Sequence, residues 1–227
     1  MVSDTQGAAS YSWPIQVPPG RNGVQPKLAL SYSSAGALRG GIAVGFSQEL
    51  PTIERDPQYP STPVYRLRGL GDDQRLVRVT GDGTAVTGVT MYRPELDTSF
   101  TRVTKQAKAW TVRTPDGMTR LFEATTDASG VAIASDLATR WNLTRERDAF
   151  GNEVVYTWSR YTNAQGYVDF TLQKIEYTSN PAAGLGPHAR VELSYYGAIV
   201  TCTGSAVPAG ARTDHHSASS ASTARGP

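Results

Sequence analysis

The chain has 227 residues, 39% of them hydrophobic and 9% aromatic, and a formal net charge of +2 with basic and acidic residues interspersed. That length can bury one sizeable all-β core, while the lack of a clustered basic face argues against a nucleic-acid partner. Gly (22) and Pro (14) recur without a fixed period, Cys202 is alone, and nowhere do 18 apolar residues run together, which excludes collagen, an intrachain disulfide and a helical membrane span in turn.

Residues 1–6 read as a flexible N-terminus. From residue 7 the chain is punctuated by Gly and Pro. Tyr11, Trp13, Ile15 and Val17 alternate with Ser10, Ser12, Pro14 and Gln16, the period of an extended strand with one apolar face. Leu28, Leu30 and Tyr32 repeat the pattern against Lys27, Ala29 and Ser31. Between the two strands, Pro18-Pro19-Gly20 and Asn22-Gly23 supply fixed φ, a missing donor and positive-φ positions, so the chain must reverse there. Pro26 precedes the second strand, and a small-residue turn reaches Gly45-Phe46 before Ile53-Glu-Arg55.

Short strands and turns then recur at the spacing of an all-β fold. Val64–Arg68 and Arg75–Thr80 flank Gly69-Leu-Gly-Asp-Asp73 as a hairpin, and Gly81-Asp-Gly83 ends the second arm. Met91-Tyr92 and Phe100–Val103 read as strands, and Trp110–Thr114 turns through Pro115-Asp-Gly117 into Thr119–Glu123. Residues 124–138 read as a surface loop. A helical stripe beginning at Leu137, Ala138 and Trp141 breaks at Arg145, so Trp141 and Leu143 are read as inward strand positions. Val154, Tyr156 and Trp158 share one face, as do Ile175 with Tyr177 and Val191 with Leu193 and Tyr195. The implied fold class is all-β: antiparallel strands and hairpins forming a curved sheet or shell fragment. From Thr201 to Pro227, 20 of 27 residues are Ala, Ser, Gly, Thr or Pro, too little apolar surface to offset ordering entropy, and disorder is the expectation there.

The string Ile15-x-Val-Pro-Pro-Gly-Arg-Asn-Gly-x-x-Pro-x-Leu-x-Leu-x-Tyr-Ser-Ser34 closely resembles the opening of the SpvB-type virulence proteins, which are homologous to the B component of insecticidal toxin complexes and related to Rhs/YD-repeat proteins. Trp141-Asn-Leu143 followed by Asp148-Ala-Phe-Gly151-Asn152-Glu-Val-Val-Tyr156 is similar to the strand–turn–strand unit of YD repeats. The resemblance covers residues 7 to about 200 and implies a β-rich segment of a large secreted toxin whose repeats wind into a shell around a C-terminal effector. It also implies that the partners are the remainder of a larger polypeptide or other toxin subunits. Because it stops in mid-architecture at Ile199-Val200, the chain reads as an N-terminal fragment.

No catalytic, cofactor-binding or metal-binding residue is assigned, and no cofactor is expected. The tight acidic pairs, Asp72-Asp73 and Glu95-x-Asp97, are the nearest approach to the two carboxylates of a glycosidase, yet the first sits in a turn where acids are normally solvated. Calcium on Asp72, Asp73 and Asp82 lacks a recognisable ligand spacing. His215-His216 after Asp214 falls in the low-complexity tail rather than on a frame that could hold zinc, and Cys202 has no positioned base, His188 included. Full-length SpvB proteins can carry an ADP-ribosyltransferase with an E-x-E pair; this chain has none. Trp13, Trp110, Trp141 and Trp158 could stack on sugars in a carbohydrate-binding β-sandwich, but each is in phase with apolar neighbours and is read as core. For Asp148, Gly151, Asn152 and Tyr156 the reading is structural: Gly-Asn makes the turn, Asp148 bonds back to its amides, and Tyr156 packs across to a neighbouring strand.

Overall fold

A computed structural model describes residues 8–35, 41–43, 45–48, 50–56, 58–59, 61–71, 73–79, 88–97, 99–123, 140–162, 168–198 and 216–223. The described chain is antiparallel β-structure with two short 3-10 turns, and no described helix is long and apolar enough to cross a membrane. It divides into two units: residues 1–16, 28–49 and 192–222, and residues 17–27, 50–191 and 223–227.

The first unit contains a four-stranded sheet of β1 (Ser10–Ile15), β2 (Leu28–Ser33), β3 (Gly41–Ala43) and β4 (Phe46–Gln48) in the order β1-β2-β4-β3. Tyr11 pairs with Tyr32 and Trp13 with Leu30. Pro14 is tolerated within β1 because that strand lies at the edge, where a missing amide donor costs no ladder bond. Trp13 is not a core residue, contrary to the expectation from its alternation. Tyr11 and Trp13 are 60% and 62% exposed, and they lean on each other edge to face at 6.1 Å. Their alternation is real, but no layer of described residues covers that face of β1.

The second unit is built on β5 (Thr52–Arg55), β6 (Tyr65–Arg68), β7 (Gln74–Arg78), β8 (Val89–Pro94), β9 (Arg102–Gln106), β10 (Ala109–Arg113), β11 (Thr119–Glu123) and β12 (Arg140–Arg147). Each pairs antiparallel with the next through β11 and β12, and Arg140–Asn142 of β12 also pairs with Glu54–Thr52 of β5. These eight strands therefore form a closed, barrel-like sheet. Eight strands leave an interior just wide enough for side chains to fill, and alternation sends Ile53, Leu67, Leu76, Val103, Trp110, Val112, Phe122, Trp141 and Leu143 into it, each at most 4% exposed. Burial of these large side chains supplies most of the driving force.

On β12, the edge that serves β5 up to Asn142 passes at Arg145–Arg147 to β13 (Glu153–Thr162), which pairs with β14 (Val168–Ser179); Ala189–Val191, the part of β15 (Ala189–Ala198) that lies in this unit, comes next in sheet order. Val154, Tyr156 and Ile175 are buried on this extension. Phe100 departs from the strand reading: β9 begins at Arg102, and Phe100 has φ 53 and is 81% exposed. Asp97 Oδ1 accepts from the Thr101 amide and turns the chain before the strand can begin. A strand His216–Thr223 follows β15 in sheet order. The surrounding residues 201–215 and 224–227 lie outside the described residues, as do 1–7 and the loop expected at 124–138.

Removing a fully enclosed indole leaves a cavity. Trp110→Ala is expected to cost about 3–5 kcal/mol, whereas Trp13→Ala should change stability by no more than about 0.5 kcal/mol. Urea denaturation monitored by circular dichroism measures both, and equal effects would contradict the filled barrel.

Candidate functional site: the junction of the two motif turns

Two turns far apart in sequence meet in the second unit. The Pro18-Pro19-Gly20-Arg21-Asn22-Gly23 segment forms a 3-10 turn over Arg21–Gly23, with amide bonds from Gly23 to the Gly20 carbonyl (3.1 Å) and from Val24 to the Arg21 carbonyl (3.0 Å). At Gly20 a Cβ would lie 1.9 Å from the Val24 carbonyl oxygen, so no larger residue fits this backbone. Asn22 adopts φ 53, ψ 29, a left-handed conformation that Asn tolerates and that Gly23 continues at φ 74. Pro19 is exposed and Pro26 buried at the two ends of the segment.

The second turn joins β12 to β13. Asp148 is its clamp. Its Oδ1 accepts from the amides of Phe150 (2.9 Å) and Asn152 (2.8 Å), and its Oδ2 accepts from Asn152 Nδ2 (2.8 Å) and from Asn22 Nδ2 (3.1 Å) of the first turn. Gly151, at φ 87, places its Cα where a Cβ would come within 3.2 Å of Asn180 Oδ1. Asn180 in turn donates to the Phe150 carbonyl (3.0 Å) and to Asn152 Oδ1 (3.1 Å). Burial pushes the Asp148 carboxyl up, but the bonds from the Asn152 and Asn22 amide groups and from the Asn152 and Phe150 backbone outweigh it and hold the pKa below the usual value.

Two more bonds tie the turns together. Arg21 Nε donates to the Thr178 carbonyl (3.3 Å), and Tyr177 Oη donates to the Pro18 carbonyl (3.1 Å). Thr178 has φ 75, unusual for a β-branched residue, and it lies where the β13–β14 register slips between Ser179 and Tyr177. Its Oγ1 accepts from the His188 amide (3.0 Å), so side chain and carbonyl are both held in this bulge.

Tyr156 reaches across to β12, donating to Glu146 Oε2 (2.7 Å), whose Oε1 accepts from Arg120 Nε (2.8 Å). Burial first, and then the Glu146 charge, push the Tyr156 hydroxyl well above its ordinary pKa. Arg120 also donates to Thr114 Oγ1 (3.1 Å), and the Thr114 hydroxyl bonds Asp116 and holds that carboxyl below its usual pKa. Glu153, only 3% exposed, is paired with Arg147 and, at 3.9 Å, with Arg145. In the first unit Gly45 (φ 75) backs onto Tyr32: a Cβ there would come within 2.8 Å of the Tyr32 ring.

The acids weighed for catalysis are engaged elsewhere or lie outside the described residues. Asp73 pairs with Arg66 (3.1 Å) and Arg68 (3.2 Å), Glu95 with Arg75 (4.0 Å), and Asp97 caps the Thr101 amide. Asp72, Asp82, Asp214, His215 and Cys202 are outside the described residues, and of His216 only the backbone is described. Among the described residues no group of three or more His, Cys, Asp and Glu is placed to hold a metal. Sequence reasoning missed Asn180, Thr178, Glu146 and Arg120. Asn180 carries a local signal, since an Asn before Pro181 is placed to cap a turn, and it accepts from the Ala183 amide at 3.2 Å; the others have none.

Residues 3–185 match the model of the family described as Salmonella virulence plasmid 65kDa B protein, SpvB. The chain belongs to the SpvB family. Its fold is that of the N-terminal domain of the effector protein SpvB from Salmonella typhimurium strain LT2 (TM-score 0.58, 19% identity, covering 75% of this chain and 68% of that one). It is also found within the TcdB2-TccC3-TEV structure (TM-score 0.64, 18% identity, 87% of this chain) and within the Tc holotoxin pore of Photorhabdus luminescens (TM-score 0.62, 20% identity, 83% of this chain). The chain spans 11% of the length of each of the latter two. No curated protein matches it. The string at Ile15–Ser34 and the turn at 148–152 thus mark segments that bond to one another through Asn22 and Asp148.

Asp148→Ala deletes four accepted hydrogen bonds and is expected to destabilise the fold by about 1–3 kcal/mol. Because the folded pKa is depressed, the carboxylate's contribution is present above the unfolded value of about 4 and is lost as pH falls through the folded pKa. The stability gap between wild type and Asp148→Asn should therefore narrow on acidification below about pH 4; a gap that stays constant in acid urea titrations would refute the clamp.

Proposed function

We propose that this chain is a non-catalytic wall segment of a larger secreted toxin or virulence polypeptide, with the unit around residues 141–158 serving as a YD-like strand–turn–strand element. The observation that carries this reading is the fate of the family's motif residues. Pro18, Gly20, Asn22, Asp148, Gly151, Asn152 and Tyr156 are consumed in bonds and close contacts within the chain, whereas catalytic side chains must keep donors and acceptors free for a substrate. SpvB-family membership and the toxin-component fold support it. Such a protein works by excluding solvent and macromolecules from what it surrounds. Its partners are the remainder of the polypeptide or other toxin subunits, and it is exported with them.

A wall segment separated from its neighbours presents sheet edges and apolar surface that another chain would cover. Tyr11 and Trp13 on edge strand β1 are such surface. Residues 1–200 expressed alone are expected to self-associate, as read by light scattering coupled to size-exclusion chromatography. A monodisperse monomer with a single cooperative melt would overturn the proposal.

The same exposed aromatic pair is what favours the other reading, an adhesive carbohydrate-binding module, over the remaining Trp. Trp110 and Trp141 are enclosed, and Trp158 is half-buried and donates to the Leu143 carbonyl (2.8 Å). Titration with a glycan panel should leave the fluorescence of wild type unchanged; a saturable change abolished by Trp13→Ala would establish the adhesive module instead.

A further inference from the structure

One inward position of the barrel is charged and meets no acid among the described residues. Lys105 on β9 stands opposite Trp110 on β10 and two residues from Val103, so strand alternation directs it to the barrel interior. Its ammonium lies 4.5 Å from the centroid of the Tyr65 ring, 5.1 Å from that of Trp110 and 5.4 Å from that of Trp141, and it donates to the Tyr65 hydroxyl at 2.8 Å. All three distances fall inside the range of about 6 Å over which a ring face attracts a cation. The rings also brace one another edge to face: Tyr65 to Trp110 at 4.7 Å, Tyr65 to Trp141 at 5.7 Å and Trp110 to Trp141 at 5.8 Å. Tyr92 packs behind them, 5.0 Å from Trp110 and 5.8 Å from Tyr65.

This is a preformed aromatic cage. Trp110 and Trp141 are 0% and 1% exposed and Tyr65 7%, so the rings are enclosed by the core and packed against it. Arg120, the inward charge opposite Val112, is neutralised by Glu146; Lys105 makes no ion pair with any described carboxylate and is held by ring faces and one hydroxyl. Lys105 is half-buried, so part of it meets solvent. We propose that this part of the barrel is an ammonium-binding site, held in the native chain by Lys105 as its resident guest, and that an alkylammonium or quaternary ammonium group occupies it when that side chain is displaced. The ligand class follows from the lining: rings attract a weakly hydrated organic cation, and the absence of a described carboxylate gives a small, strongly hydrated metal ion nothing to exchange its water for.

The test is titration of the 227-residue chain with tetramethylammonium chloride, read by tryptophan fluorescence against sodium chloride at equal ionic strength. Lys105→Ala should respond saturably with an apparent affinity at least tenfold tighter than wild type, and Lys105→Arg should behave as wild type. A cooperatively melting Lys105→Ala with no saturable response, or with the wild-type response, overturns the proposal. If Lys105→Ala does not fold, NMR of the wild type decides. The Lys105 ε-methylene protons should lie upfield of free lysine through ring currents and move toward the free value as tetramethylammonium reaches molar concentration. Shifts at the free value from the start, or shifts that never move, overturn it.

Discussion

Closure of the sheet at β12 is the constraint on which the second unit depends. Arg140–Asn142 pairs with β5 and Asn142–Arg147 pairs with β11, so the last strand of the eight joins the first to the seventh and completes the circuit. Until those contacts form, Trp110, Trp141, Phe122 and Ile53 have no common interior to occupy, and afterwards they are sealed from water on every side. The same strand then passes its freed edge to β13, so the barrel and the extended sheet beyond it share one backbone ladder. Damage at β12 therefore cannot stay local.

The two turns that carry the family resemblance are joined in a complementary way. Each is stable on local grounds: one through Pro-Pro-Gly and the left-handed Asn22-Gly23, the other through the Asp148 carboxylate folded over its own amides. Asn22 and Asp148 then join them, with Arg21 and Tyr177 adding bonds to backbone carbonyls on either side. A carboxylate that already accepts three bonds from its own turn is pre-oriented for the fourth, so the long-range contact costs little extra ordering.

Much of the fold could be read along the chain, and the failures have a common cause. The hairpin flanking Gly69–Asp73, the Asp116-Gly117 turn and the inward Trp141 and Leu143 follow from period-2 alternation and turn chemistry, which act over a few residues. Trp13 shows the same alternation, yet its face is open, because a pattern says that two faces differ and not that a second layer exists to cover one. Phe100 failed for a local reason, since the Asp97 side chain competes with the ladder for the Thr101 amide. Lys105 was legible only in retrospect: it is in phase with Val103, but a lysine in a strand is ordinarily solvated, and only three rings brought from β6, β10 and β12 reverse that preference.

By itself the sequence determined the class of backbone, the positions where it reverses and the membership in a family, since propensity, φ restrictions and motif strings are written in neighbouring residues. The tertiary structure alone decided that the strands close on themselves, that Asp148 serves Asn22 as well as its own turn, and that the Lys105 ammonium lies against aromatic rings. Each of those is a contact between segments separated by tens of residues, where geometry selects the partner and no local pattern records it.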